Sequence, residues 1–137
     1  METTVTLEEP VSAEACRVHM VPITEVLGQV GSKWTMHVIV ALATGPKRFS
    51  ELKAHIGGVS QKVLTSTLRD LERDGLVSRK VTPSIPPRVD YELTAMGQEL
   101  RGPLGAIGRW AVDNQTRVQA ARDRFAHAED ERRRDAW

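Results

Sequence analysis

Apolar residues return every three or four positions along most of this chain, and in one stretch the spacing drops to two, which divides the sequence into elements. From Ser60 to Asp74, Leu64, Leu68 and Leu71 fall at i, i+4 and i+7 on one helical face, while Gln61, Lys62, Thr65, Ser66, Arg69 and Arg73 point elsewhere. One face can pack and the other is free for contacts. Upstream, Leu52 and Ile56 at i and i+4 predict a short helix, capped by the Ser50 hydroxyl and ended by Gly57 and Gly58. Ser60 repeats the cap signal after a turn of a few residues, so the two helices cross as a helix-turn-helix. Gly75 is the expected left-handed residue after the second helix, with Leu76 reaching back to Leu71.

Beyond Gly75 the period becomes two. Val77, Arg79 and Val81 fall on one side, and Val89, Tyr91 and Leu93 alternate with Arg88, Asp90 and Glu92. This predicts a hairpin with one apolar face. Its connection, Thr82-Pro83-Ser84-Ile85-Pro86-Pro87, carries three prolines that fix φ and keep the tip extended. The fold class is therefore mainly α with a small β-hairpin wing (α+β), a winged helix-turn-helix, which is a DNA-reading module.

Pro22 is expected to open a short helix through Val26 and Leu27 to Val30, ended by Gly31. Lys33 to Ala43 reads as a second helix, apolar on most sides and hence central to the core, with Trp34, Val38, Ala41 and Leu42 on one face and Met36, Ile39 and Val40 on the rest. After Thr94, Met96, Leu100, Leu104, Ile107 and Ala111 predict a long C-terminal helix, kinked or restarted at Gly102-Pro103. Its stripe exceeds what the sheet needs for cover. Leu100, Leu104, Ile107 and Trp110 are accordingly the expected homodimer interface, the alternative being packing on the chain's own first helix. Residues 1–20 read as a polar arm, flexible or ordered only against a partner, 21–111 as the winged domain, and 112–137 as a helical extension and a tail of mixed charge.

At 137 residues the chain can bury a core without disulfides. Its formal net charge of +1 excludes a strongly basic coating protein, so DNA binding must be local and selective. Lys47 to Glu92 holds nine Lys/Arg against six Asp/Glu, whereas the first fifteen residues hold four Glu and no base. Basic charge is placed in the motif and kept out of the arm. The N-terminus lacks an apolar signal core, and the longest apolar run, Val38 to Ala43, falls far short of the roughly 20 residues that cross a bilayer. With a single cysteine, a cytoplasmic location is expected. The chain has no Gly-x-Ser-x-Gly, phosphate loop or His-Glu-x-x-His, so neither an enzyme nor a cofactor is expected. Cys16-x-x-His19 is half a metal site that nothing completes, so no metal is expected either.

Base contacts fall to Gln61, Lys62, Thr65 and Ser66, near the N-terminal end of the recognition helix, the end that enters the major groove. Gln can pair with adenine, Lys with guanine, and Thr can touch a thymine methyl. Arg48, Ser60 and Arg69 are candidates for phosphate contacts, with Lys80 and Arg88 for the wing, residues 82–88, on the backbone. A small-molecule pocket could be lined by Trp34, Met36 and Trp110, although core is the simpler role for them. The alternative function is a winged-helix adaptor that uses the same surface to bind protein without DNA.

The blocks VGSKWTMHVIVAL, GPKRFSEL, VSQKVLTSTLRDLERDGLVSRKV and PPRVDYELTAMGQEL, followed by Trp110, resemble HxlR-type winged helix-turn-helix regulators, relatives of the MarR group, over about residues 21–111. The resemblance implies a bacterial-type transcription regulator, dimeric through first and last helices, that inserts one recognition helix per subunit into successive major grooves of a pseudo-palindromic operator. Members of the family often begin with Cys-Pro, and in some that cysteine senses oxidants or electrophiles. Here Val21-Pro22 stands at that place and Cys16 lies five residues upstream, so a redox role does not carry over by position. Cys16 stays a candidate redox sensor if the arm folds against basic residues that lower its pKa. Double-stranded DNA, a second copy of the chain and a small-molecule or oxidant effector are the expected partners.

Overall fold

The computed structural model describes the backbone of residues 13–136 and the side chains of residues 20–136. Within that span the helices are α1 (Ala13–Val30), α2 (Thr35–Leu42), α3 (Phe49–Ile56), α4 (Gln61–Arg73), α5 (Ala95–Asp113) and α6 (Gln115–Asp135). The strands are β1 (Lys47–Arg48), β2 (Val77–Thr82) and β3 (Arg88–Leu93).

α2 is apolar on nearly every side, and it sits where that composition requires. Val38, Ile39, Ala41 and Leu42 are buried, and α1, α3, α4, α5 and β3 all touch it. His37 and Val40 face outward. Leu52 of α3, the Leu64, Leu68 and Leu71 stripe of α4, Val77 and Leu93 of the hairpin, and Leu104 of α5 complete one core. Each fully buried aliphatic chain of this kind contributes about 1.5–3 kcal/mol against exposure.

The sheet is antiparallel with order β1-β3-β2. β2 and β3 pair from Val77 opposite Leu93 to Thr82 opposite Arg88, as a hairpin requires. Burial holds only at its base, however. Val77 and Leu93 are buried, but Val81 is 50% exposed, because nothing lies over the far end of the predicted apolar face. β1 pairs Lys47 with Tyr91 and Arg48 with Asp90 and is too short for periodicity to reveal.

Four boundaries differ from the sequence expectation. α1 begins at Ala13, so Pro22 lies inside the helix instead of opening it, and residues 13–20 of the expected arm are helical. The hydrogen bond that proline deletes is tolerated because helix continues on both sides. α3 starts at Phe49 with Arg48, not Ser50, at the N-cap, since pairing with β3 holds Arg48 extended up to the helix. α5 runs through Pro103 without ending. The break comes at Asn114, whose backbone N–H and side-chain amide both donate to the Trp110 carbonyl at 2.9 Å. An Asn that offers the backbone a local alternative ends a helix more readily than the proline does here.

Candidate nucleic-acid interface

α4 is held at both ends by its own sequence. The Ser60 hydroxyl accepts from the Val63 N–H at 3.1 Å, satisfying one of the free donors of the first turn. At the other end Gly75 adopts φ +76°, a left-handed conformation that suits glycine. Its N–H donates to the Glu72 carbonyl at 3.1 Å and the Leu76 N–H donates to Leu71 at 2.9 Å, the pair of bonds of a Schellman closure. The buried leucine stripe fixes rotation about the helix axis. The opposite face is thereby turned outward.

On that face Gln61, Lys62, Thr65, Ser66 and Arg69 are all exposed. Lys62, Thr65, Ser66 and Arg69 line one shallow concavity along the helix, continued by Asp70, Glu72 and Arg73. Among the described residues, the side chains of Gln61, Lys62, Ser66 and Arg69 make no hydrogen bond or ion pair. Thr65 differs, donating its hydroxyl to the Gln61 carbonyl at 2.7 Å. What it offers outward is chiefly its methyl group.

Arg73, at the far end, is bound up within the protein. It meets Asp74 at 3.2 Å and Asp70 at 3.4 Å. The hydrogen bond and charge of Asp74, followed by the charge of Asp70, push its pKa above the ordinary guanidinium value. Free positive charge on the helix is thus concentrated on Lys62 and Arg69.

The expected phosphate contacts are placed unevenly. Ser60 is at the helix start, with its hydroxyl in the cap. Arg48 is exposed and only loosely tied to Glu51, at 4.0 Å. On the wing, Lys80 is exposed and has no ion-pair partner among the described residues, while Arg88 meets Asp90 at 3.0 Å. Exposed Arg79 stands beside Lys80 on β2, a cation the sequence pattern had assigned to the apolar side of the hairpin.

The expected dimer residues also divide. Leu104 is 5% exposed and belongs to the core of the single chain, and Leu100 is partly buried against that core. Ile107 and Trp110 lie in the open, Trp110 at 62%. Trp34 and Met36 are partly buried against the core, whereas Trp110 is exposed. Cys16 falls within α1, and its side chain lies outside the described residues. Among the described residues no group of His, Cys, Asp or Glu is placed to hold a metal, and no helix is long and apolar enough to cross a membrane.

Comparison with known proteins agrees with this architecture. The HxlR-like helix-turn-helix family matches residues 29–119, from the end of α1 into α6. The uncharacterized HTH-type transcriptional regulator YtfH of Escherichia coli K12 is 41% identical over 114 residues, covering 83% of this chain and 86% of YtfH. Among solved structures, the transcriptional regulator ytfH from Salmonella typhimurium superposes with a TM-score of 0.65 at 40% identity, covering 74% of this chain and 91% of that one. The redox regulator HypR in its reduced form gives a TM-score of 0.67 at 32% identity, covering 72% and 98%. With the helix-turn-helix, the hairpin and α5 all inside the matched span, the chain belongs to the HxlR-like helix-turn-helix family of transcriptional regulators.

Proposed function

We propose that the protein is a sequence-specific DNA-binding regulator that acts as a homodimer, with α4 in the major groove and the wing on the flanking backbone. The observation that carries this reading is the outer face of α4, where Gln61, Lys62, Ser66 and Arg69 are exposed and uncommitted to protein partners. Arg73 of the same helix is, by contrast, tied to Asp70 and Asp74. In this arrangement Lys62 and Gln61 read base edges, Thr65 presents its methyl, and Arg48, Arg69 and Lys80 hold phosphates. Arg88 contributes after exchanging Asp90 for a phosphate.

The dimer is supported by the apolar surface left uncovered on the first and fifth helices. Val21, Val26 and Leu27 of α1 and Ile107, Trp110 and Val112 of α5 are exposed, and exposed apolar side chains gathered in a patch mark an interaction surface. A two-fold dimer places its recognition helices on half-sites about one helical turn, roughly 34 Å, apart or a multiple of it. An effector completes the reading, either a small molecule or an oxidant acting through Cys16. HypR, described as a redox regulator, supports the second route.

The test is the mass of the particle in solution and its footprint on DNA. Wild type is expected to run as a dimer and to protect two segments one turn apart. A variant carrying Ile107→Asp and Trp110→Ser is expected to run as a folded monomer that protects neither. A wild-type monomer that binds a single half-site would refute the dimeric mode.

A further inference from the structure

A thioether covers the point where α4 ends. Met96 is on the first turn of α5, between Thr94, whose hydroxyl donates to the Gly75 carbonyl at 2.6 Å, and Gly97, whose N–H donates to that hydroxyl at 3.1 Å. Its methyl lies over Gly75, the left-handed residue that closes α4. A methyl group placed on that glycine would stand 3.1 Å from Met96 Cε. The same side chain lines a cleft with Val30, Leu76, Leu100 and Pro103, an apolar seam between α1, the end of α4 and α5.

Met96 is nevertheless 49% exposed. A sulfur that packs on one side and meets water on the other can be oxidised while the protein stays folded. Met36, by contrast, is partly buried against the core, and Met20 is as exposed as Met96 but stands on α1, outside this junction. A hydroperoxide gives one oxygen to the Met96 Sδ lone pair. The S–O bond forms, the O–O bond breaks, and the departing oxygen takes up the proton of the transferred one and leaves, as water when the oxidant is hydrogen peroxide. The product is a sulfoxide, polar where the thioether was apolar and pliable. Its oxygen needs a hydrogen-bond donor that the apolar cleft does not offer. Turning that oxygen to water draws the methyl off Gly75.

We infer that Met96 is a site of reversible oxidation by hydroperoxides, and that its sulfoxide loosens the closure of α4 and with it the grip on DNA. The inference rests on the DNA-binding reading above and adds a chemistry that regulates it. The bonds from the Gly75 N–H to Glu72 and from the Leu76 N–H to Leu71 hold the last turn of α4, and the Met96 methyl covers the glycine between them. Once uncovered, that turn opens to water more easily. α4 then keeps its Ser60 cap and its leucine stripe but loses the firm junction with α5. A helix less firmly oriented meets DNA at a greater cost in ordering.

The test uses the full chain carrying Cys16→Ser, so that no thiol responds, and a duplex enriched by the unoxidised protein from a pool of random sequence. The protein is treated with hydrogen peroxide, its oxidised residues are mapped by peptide mass spectrometry, and binding and melting are compared before and after. Oxidation at Met96 is expected to weaken binding about tenfold and to lower Tm, with both recovering on treatment with methionine sulfoxide reductases. Met96→Leu, a change of similar volume, should bind as its parent does and keep both affinity and Tm under peroxide, whereas Met20→Leu should stay sensitive. Met96→Gln, which puts a polar group there without oxidant, should bind as weakly as the oxidised protein. Oxidation of Met96 with affinity unchanged, a loss that persists in Met96→Leu, or Met96 left intact while Met20 is converted would each overturn the switch and leave the DNA reading standing. Failure of the unoxidised protein to enrich any duplex would overturn the DNA reading itself, and the Tm comparison would still decide whether oxidation of Met96 opens the junction.

Discussion

The Thr94 hydroxyl donates to the Gly75 carbonyl at 2.6 Å, tying the residue that ends the hairpin to the residue that ends the recognition helix. The same oxygen accepts from the Gly97 N–H at 3.1 Å, capping α5, and the Thr94 N–H donates to the Leu76 carbonyl at 3.1 Å. Three elements meet at this junction. The end of α4, the base of the wing and the start of α5 are held as one piece, so a shift at the fifth helix would be felt by α4.

Gly97 is the tightest point of that junction. A methyl group added there would overlap the Leu76 carbonyl and crowd Leu93. Backbone atoms cannot step aside as a side chain could. Gly97→Ala is expected to destabilise the protein by about 1–3 kcal/mol, seen as a lower Tm. Thr94→Ala should cost about 1 kcal/mol through the lost cap.

Thr35 offers a change in the opposite direction. It is completely buried at the start of α2, and its hydroxyl has no hydrogen-bond partner among the described residues. An unmade buried hydrogen bond costs about 1–3 kcal/mol, and an apolar group of the same shape avoids that cost. Thr35→Val is therefore expected to raise Tm. A fall in Tm would show that the hydroxyl is satisfied in solution.

The two halves of the interface should separate under mutation. Lys62→Ala is expected to weaken cognate DNA by about 1–3 kcal/mol more than random DNA, the effect that the base contact proposed for it requires. Arg88→Ala should weaken both alike and by less, because Arg88 already spends part of its charge on Asp90. Titration of both duplexes by fluorescence anisotropy checks this, and the reverse pattern would exchange the roles of helix and wing.

The recognition helix was legible because its signals agree. Ser60 caps it, Leu64, Leu68 and Leu71 mark its buried face, and Gly75 closes it. Prolines were less informative. Pro22 and Pro103 read as boundaries, yet both lie inside helices, where neighbouring turns outweigh one lost hydrogen bond. The true break at Asn114 depends on a side-chain bond to Trp110 that spacing cannot show. The stripe through Leu104 and Trp110 was visible as a stripe, but its division between core and surface follows from where α5 meets α2. Met96 read as one more position of that stripe, since its contact with Gly75 exists only where the hairpin returns the chain to the end of α4.

The most direct measurement is binding of the purified protein to the DNA upstream of its own coding sequence, against random DNA of equal length, at two salt concentrations. Clear preference for the upstream duplex is predicted, with affinity for both falling as salt rises because phosphates are contacted in each complex. Absence of binding to either duplex at low salt would contradict the account and favour a protein-binding adaptor.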